Sequence, residues 1–171
     1  MQMNRMEQFK SVIAYGLMYV LWAVSLPIAG WVIIDVRDTI LTVVAVINAQ
    51  LYHSGTREAF YANLRLRAAD TTSWLFVGAV MVAVIVLIEN IYRIGMLTGR
   101  LWSRFFLVLA VCFGLLGLMN LVNDLARLTI GAFTWRGLFG PAVYGLLAVF
   151  FFVIGRAKRL PANPKPENPL Q

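Results

Sequence analysis

Residues 74–97 read WLFVGAVMVAVIVLIENIYRIGML, and this stretch decides the class of fold. No charged residue occurs in it before Glu89, so an apolar run begins at Trp74 and continues for most of the segment. A helix that crosses a hydrocarbon core of about 30 Å needs about 20 consecutive, mostly apolar residues. The stretch therefore predicts a transmembrane helix.

Three further runs have the same character, at residues 11–34, 102–128 and 138–155. The last three of the four runs are joined by short links, so consecutive helices must return as antiparallel neighbours. Tryptophans stand near the ends of these runs, as the aromatic belts of membrane proteins require. They are Trp31, Trp74, Trp102 and Trp135. We predict an all-α, polytopic integral membrane protein with four antiparallel transmembrane helices.

The composition agrees with that class of protein. Of the 171 residues, 60% are hydrophobic and 13% are charged, whereas soluble domains carry about 25% charged residues. The formal net charge is +7, and the basic residues lie mostly at the ends of apolar runs, which favours anionic lipid headgroups over nucleic acid as the partner. The predicted headgroup contacts are Arg100, Arg104, Arg136, Arg156, Lys158 and Arg159.

The region between the first two runs is harder to assign. The sequence DVRD (35–38) interrupts the apolar run, and residues 39–52 are apolar but too short for a regular span. We expect an interfacial or re-entrant helical segment over 39–70, with DTTS (70–73) capping the next helix. A plain connecting loop is one alternative, and a fifth span is another.

The distribution of Lys and Arg predicts the orientation. With four spans, and with Arg93 and Arg127 left out because they lie within helices, the side that holds both termini and the 98–104 link carries eight basic residues, and the other side carries five. Both termini are therefore expected in the cytoplasm. Five spans would divide the same residues seven against six, which favours neither orientation. The expected organisation is one helical bundle over 1–156 and a proline-rich cytoplasmic tail over 157–171.

A polar motif occurs twice in this apolar chain, as LIENIYRI (87–94) and LVNDLARL (121–128). The similarity continues into IGMLTGR (94–100) and IGAFTWR (130–136). Because successive spans run in opposite directions, the two copies are expected at opposite membrane faces. Inverted repeats of this kind occur in transporters, although shared constraints on helix ends would also produce the similarity.

Two interpretations of the motif remain open. The spacing of Glu89 and Arg93 allows an ion pair within one helix, near the headgroups. Alternatively, the polar residues face the bundle interior and contact an ion or a partner, because ionisable groups inside a membrane are costly and are often functional. The candidate residues are Glu89, Asn90, Arg93, Asn120, Asn123, Asp124 and Arg127.

Other chemistry has little support in the sequence. One cysteine (Cys112) and one histidine (His53) cannot form a disulfide framework or an all-protein zinc site within one chain, and serines lack a plausible histidine base. We therefore expect no catalytic residue, metal or cofactor. The sequence favours a small non-catalytic accessory or assembly subunit that packs against partner helices. A transporter, channel or sensor built on the repeated motif, as a homo-oligomer, is the main alternative, and a membrane-embedded enzyme is the third.

Overall fold

The computed structural model describes residues 5–51, 56–129, 131 and 135–157. All of its regular elements are helices. They are α1 (Arg5–Leu51), α2 (Thr56–Leu97), α3 (Leu101–Thr129), a 3₁₀ turn (Trp135–Leu138) and α4 (Phe139–Ala157).

Four helices in the described part of the chain are long and apolar enough to cross a membrane. The structure thus confirms the all-helical class and the number of span-like helices. Their compatibility with a multi-pass membrane protein follows from length and composition. The qualifying segments are Ser11–Ala49, Leu64–Leu97, Leu101–Thr129 and Phe139–Ala157.

The separate interfacial or re-entrant segment predicted over 39–70 is not present as an element of its own. Its described residues continue α1 and α2, which run for 47 and 42 residues. At a rise of about 1.5 Å per residue, these helices are about 70 and 63 Å long, more than twice the thickness of a hydrocarbon core. Residues 39–51 are the end of α1, so the described structure contains no fifth span.

The interrupting charges do not end α1, because their side chains have partners. Arg37 forms ion pairs with Asp38 in the same helix and with Asp70 of α2, and Asp35 lies near Asn120 of α3. The predicted cap at 70–73 is also wrong, since Thr71 and Thr72 donate hydrogen bonds to the carbonyls of residues four positions earlier, in the middle of a continuous helix. None of these residue types forces a helix to stop when its side chain is satisfied.

Consecutive helices run antiparallel, as expected. Tyr92 of α2 meets Ser25 of α1, whereas Asp70, earlier in α2, meets Arg37, later in α1. The turn between α2 and α3 contains Gly99, whose φ of +64° belongs to the left-handed region that glycine adopts without strain. On α3 and α4, the Ser103 hydroxyl donates a 2.7 Å hydrogen bond to the Gly155 carbonyl.

The core lies where α1 packs on α2 and α3. It contains apolar side chains from these three helices, including Met18, Ile88 and Leu116. α4 packs against α3, and its other face exposes large apolar side chains, among them Leu146 and Val149. Large apolar side chains on the outside of a packed apolar core are typical of a helical bundle that is surrounded by lipid.

Candidate functional site

The two copies of the polar motif lie at opposite ends of the bundle. Residues 87–94 occupy the C-terminal part of α2, and residues 121–128 occupy the C-terminal part of the antiparallel α3. The equivalent glycines differ in conformation, because Gly95 lies within α2 whereas Gly131 follows α3 with a φ of +73°. The structure does not bring the two copies together into one site.

The first copy faces outward. Glu89 and Arg93 form the expected i,i+4 ion pair at 4.0 Å, with 39% and 61% of their side chains exposed. Asn90 is exposed as well. The side chains of this segment that enter the core are Ile88 and Tyr92. The expectation that Glu89 and Asn90 face the bundle interior is therefore not met, because the helix turns its apolar and aromatic positions inward instead.

A buried hydrogen bond that the sequence analysis missed lies beside the first copy. Tyr92 is fully buried, and its hydroxyl is 2.5 Å from the Ser25 hydroxyl of α1. Ser25 uses its own proton to bond the Leu21 carbonyl at 2.8 Å, so Tyr92 is the donor between the two side chains. A signal for this contact was present in the sequence, since Ser25 and Tyr92 are polar residues within apolar runs.

The second copy is packed more closely into the bundle. Asn120 donates to the Leu116 carbonyl at 2.9 Å and lies 3.4 Å from an Asp35 carboxylate oxygen of α1. Asp124 lies against Gly137, where a Cβ atom would come within 2.7 Å of its carboxylate oxygen. These contacts place a polar cluster between α1, α3 and the 3₁₀ turn.

Asn123 and Arg127, which also belong to the second copy, differ in burial. The Asn123 side-chain oxygen is buried and has no hydrogen-bond partner among the described residues. Arg127 is exposed, and it forms no ion pair with Asp124 in the part of the chain that the structure describes. The two copies are therefore similar in sequence but differ in their structural environments.

A second polar cluster, centred on Arg37, was not predicted. Its guanidinium pairs with Asp70 and with Asp38 (2.6 Å), donates to the Ser73 hydroxyl at 3.1 Å, and lies 4.2 Å from the centre of the Trp74 ring. Only 12% of the Arg37 side chain is exposed. The residues come from two helices more than 30 positions apart, so sequence spacing within one helix could not reveal the cluster.

The predicted headgroup contacts lie mainly around one end of the bundle. Arg100 is exposed in the turn after α2, Arg156 is exposed near the end of α4, and Arg104 packs its aliphatic part on Gly95. The Arg136 side chain, Lys158 and Arg159 lie outside the described residues, as does most of the predicted tail. Within the described ranges, no group of three His, Cys, Asp or Glu residues is placed to hold a metal ion.

An apolar cleft separates α2 from α3, and α1 forms its floor. Its volume is about 360 Å³, and its walls consist almost entirely of Val, Leu, Ile and Phe side chains. Ala29 and Cys112 also line it, and the charged Arg37 and the hydroxyl-bearing Ser73 lie together at one end. The cleft thus meets the Arg37 cluster.

The chain was compared with known proteins in three ways. No protein-family model matches it, and neither the curated proteins nor the solved structures give a match.

Proposed function

We propose that the protein is a small, non-catalytic, multi-pass membrane protein that packs against the helix of a membrane partner, as an accessory or assembly subunit. The observation that carries this proposal is the outward face of α2. This face combines small residues, a regular heptad spacing and, towards its C-terminal end, the polar side chains of Glu89, Asn90 and Arg93.

The spacing on this face suits helix–helix packing. The exposed positions Leu75, Ala79, Val82 and Val86 recur at intervals of three and four residues, which gives a straight seam along one side of α2. Ala79 and Ala83, both exposed, form a small-xxx-small pair. Small residues at this spacing let two membrane helices approach closely and gain van der Waals contact. We call this face, from Leu75 to Arg93, the α2 outer face.

The polar residues on the α2 outer face favour a protein partner over lipid. Asn90 lies 16 residues beyond Trp74, or about 24 Å along the helix. An amide without a hydrogen-bond partner in hydrocarbon is costly, and a side chain on a neighbouring helix can satisfy it. Glu89 and Arg93 can likewise form ion pairs across such an interface.

The proposed setting is a bilayer containing anionic lipids, with both chain termini in the cytoplasm. Four crossings would put the termini on one side, and that side carries the larger number of Lys and Arg residues. The exposed Arg100 and Arg156 at this end are suited to phosphate contact. No nucleic-acid partner is proposed.

The test is purification from the native membrane in mild detergent. The wild-type protein should be recovered with a stoichiometric protein partner, and the double substitution Ala79→Leu/Ala83→Leu should reduce its recovery about tenfold, because close approach is lost. Ala142→Leu, the same change at an exposed position of α4, should leave recovery unchanged. A monodisperse wild-type monomer, or equal losses in both variants, would contradict the proposal.

A transporter, channel or sensor is the second candidate, and one observation favours it. Asp35 and Asn120 meet between α1 and α3 in a part-buried position, and carboxylates inside membrane bundles often mark ion or proton sites. On this proposal, Asp35→Asn or Asp124→Asn abolishes an ion- or pH-dependent flux into liposomes without loss of folding. Absence of flux in the wild type, or unchanged flux in both variants, removes this candidate.

A further inference from the structure

The start of α4 lacks the negative charge that a helix N-terminus favours. The 3₁₀ turn (Trp135–Leu138) leads directly into α4, and neither element has an acidic residue in its first turn. The first N–H groups of a helix have no partner within it, and the aligned peptide dipoles place a partial positive charge there. The sequence contains no Asp or Glu between Asp124 and Glu167. A compensating carboxylate therefore has to come from another helix.

Asp124 of α3 lies at this position. Its carboxylate group fills the space beside Gly137, because a Cβ atom at Gly137 would lie 2.7 and 3.0 Å from the two carboxylate oxygens. Gly137 is not among the glycines with positive φ, which in the described part of the chain are Gly99 and Gly131. The room that it leaves for Asp124, and not an unusual backbone conformation, thus explains a glycine at residue 137.

A second polar side chain of α3 makes a similar contact one turn away. Asn120 precedes Asp124 by four residues, and its side-chain oxygen lies 3.5 Å from the place of a Cβ atom at Gly140. Residues three or four positions apart share one face of a helix, so a polar pair on α3 faces a pair of glycines at the start of α4. We call these four residues, Asn120, Asp124, Gly137 and Gly140, the α4 latch.

The α4 latch lies at the polar end of a seam that is otherwise apolar. Among the described elements, α4 packs only against α3 and the 3₁₀ turn. Further along α4, the two helices approach closely at Gly117 and at Gly155. These contacts hold the body of α4 without the help of the latch. The first turn of α4 can therefore separate from α3 while the rest of the helix stays packed.

We propose that the α4 latch is a charge-dependent conformational device that docks the first turn of α4 on α3. The negative charge of Asp124 stabilises the positive end of the helix dipole, and Asn120 packs against the next turn. When the charge of Asp124 is removed, the first turn of α4 loosens and the remainder of the bundle stays folded. The proposal does not depend on the protein partner proposed above, because none of the latch residues belongs to the α2 outer face.

The experiment is hydrogen–deuterium exchange of the full chain in detergent micelles, read by mass spectrometry of peptides that cover residues 135–145. Asp124→Asn keeps the shape of the side chain but removes its charge, so these amides should exchange about threefold faster, the factor that one charge at a helix N-terminus supplies. Glu89→Gln, the same change on α2, should leave them unaffected. Unchanged exchange in Asp124→Asn, or equal acceleration along all four helices, would overturn the proposal.

The two glycines of the latch give a second test, because the same substitution should have opposite effects at each. Alanine is a better helix former than glycine, and Gly140→Ala meets Asn120 at an ordinary contact distance, so it should slow the exchange of residues 135–145. Gly137→Ala instead displaces the Asp124 carboxylate and should make the exchange about threefold faster. Slower exchange in Gly137→Ala would overturn the proposal.

Two further variants identify what the carboxylate acts on. In an Asp124→Ala background, Gly137→Ala should slow the exchange, because no carboxylate remains to be displaced. Arg136→Gln should leave the exchange of residues 135–145 unchanged. Acceleration by Arg136→Gln equal to that of Asp124→Asn would assign the carboxylate to that side chain rather than to the helix N-terminus, and it would overturn the proposal.

Discussion

The α3–α4 seam and the α2–α3 seam are built from helices of similar composition, yet one is closed and the other is open. At the α3–α4 seam, Gly117 brings the helices so close that a Cβ atom would lie 3.4 Å from the Pro141 carbonyl oxygen and the Gly145 nitrogen. At the α2–α3 seam, residues such as Val84 and Val111 face the gap and leave a cleft. The comparison indicates that helices of similar hydropathy can differ in how closely they approach, and that at the α3–α4 seam a glycine permits the close approach.

The largest expected effect comes from opening the closed seam. Gly117→Leu must push α4 away from α3, because the new side chain meets backbone atoms that cannot move aside. We expect the free energy of unfolding to fall by about 3 kcal/mol, measured by SDS titration in mixed micelles.

Gly145→Leu is the matched control for that substitution. A Cβ atom at Gly145 meets nothing within 4 Å, although this residue lies on the same seam. Its unfolding midpoint should stay close to that of the wild type. Equal destabilisation by the two changes would mean that the loss of any glycine from these helices lowers the free energy of unfolding, whether or not the helices approach closely at that residue.

A second prediction concerns the end of the open cleft, where Arg37 joins α1 to α2. Arg37→Leu removes two ion pairs and the contact with the Trp74 ring, and we expect a loss of about 1–2 kcal/mol. The loss should be local, so trypsin should cleave faster at Arg65 and Arg67 while the rest of the bundle stays resistant.

Arg37→Lys separates charge from geometry in the same experiment. Lysine keeps the positive charge but cannot reproduce the planar, multidentate contacts of a guanidinium. Its cleavage rate should therefore fall between those of the wild type and Arg37→Leu. If Arg37→Lys behaves like the wild type, charge alone holds the two helices together.

A smaller effect is expected where α1 and α2 share a buried hydrogen bond. Tyr92→Phe removes the bond to Ser25, and interhelical hydrogen bonds in membrane bundles contribute about 0.6 kcal/mol on average. Tyr15→Phe, at an exposed position of α1, should have no measurable effect on the same unfolding midpoint. A loss above about 2 kcal/mol for Tyr92→Phe would indicate a wider network than the one described.

The smallest effect should come from the first motif copy. The Glu89–Arg93 pair is exposed and long, so Glu89→Gln should change the free energy of unfolding of the isolated chain by less than about 0.5 kcal/mol. The same SDS titration measures it. A larger change would place Glu89 in a contact inside the bundle, contrary to its position on α2.

Much of the fold could be predicted from the sequence, because the length of an apolar run limits how it can be buried. The predicted spans at 102–128 and 138–155 nearly coincide with α3 and α4. The continuity of α1 and α2 could not be predicted, since the charge of Arg37 is compensated by Asp70, 33 residues away. Hydropathy also says little about which face of a helix turns inward.

The candidate site shows that the sequence does not reveal which face of a helix turns inward. Glu89 and Asn123 occupy equivalent places in the two motif copies, but the side chain of Glu89 is partly exposed on the outside of α2 and the oxygen of Asn123 is buried. The contacts that orient α2 about its axis join it to α1, among them the Tyr92–Ser25 hydrogen bond and the Arg37–Asp70 ion pair. The sequence of one helix shows that such a polar residue needs a partner, but it does not show which residue of the other helix is the partner.

Photo-crosslinking in the native membrane tests the α2 outer face most directly. A photoreactive side chain introduced at Val82 should give a discrete crosslink to a protein partner, whereas the same group at Val149, on the exposed face of α4, should label lipid alone. No protein crosslink from Val82, or equal protein crosslinking from both positions, would contradict the proposal that this face of α2 receives a partner helix.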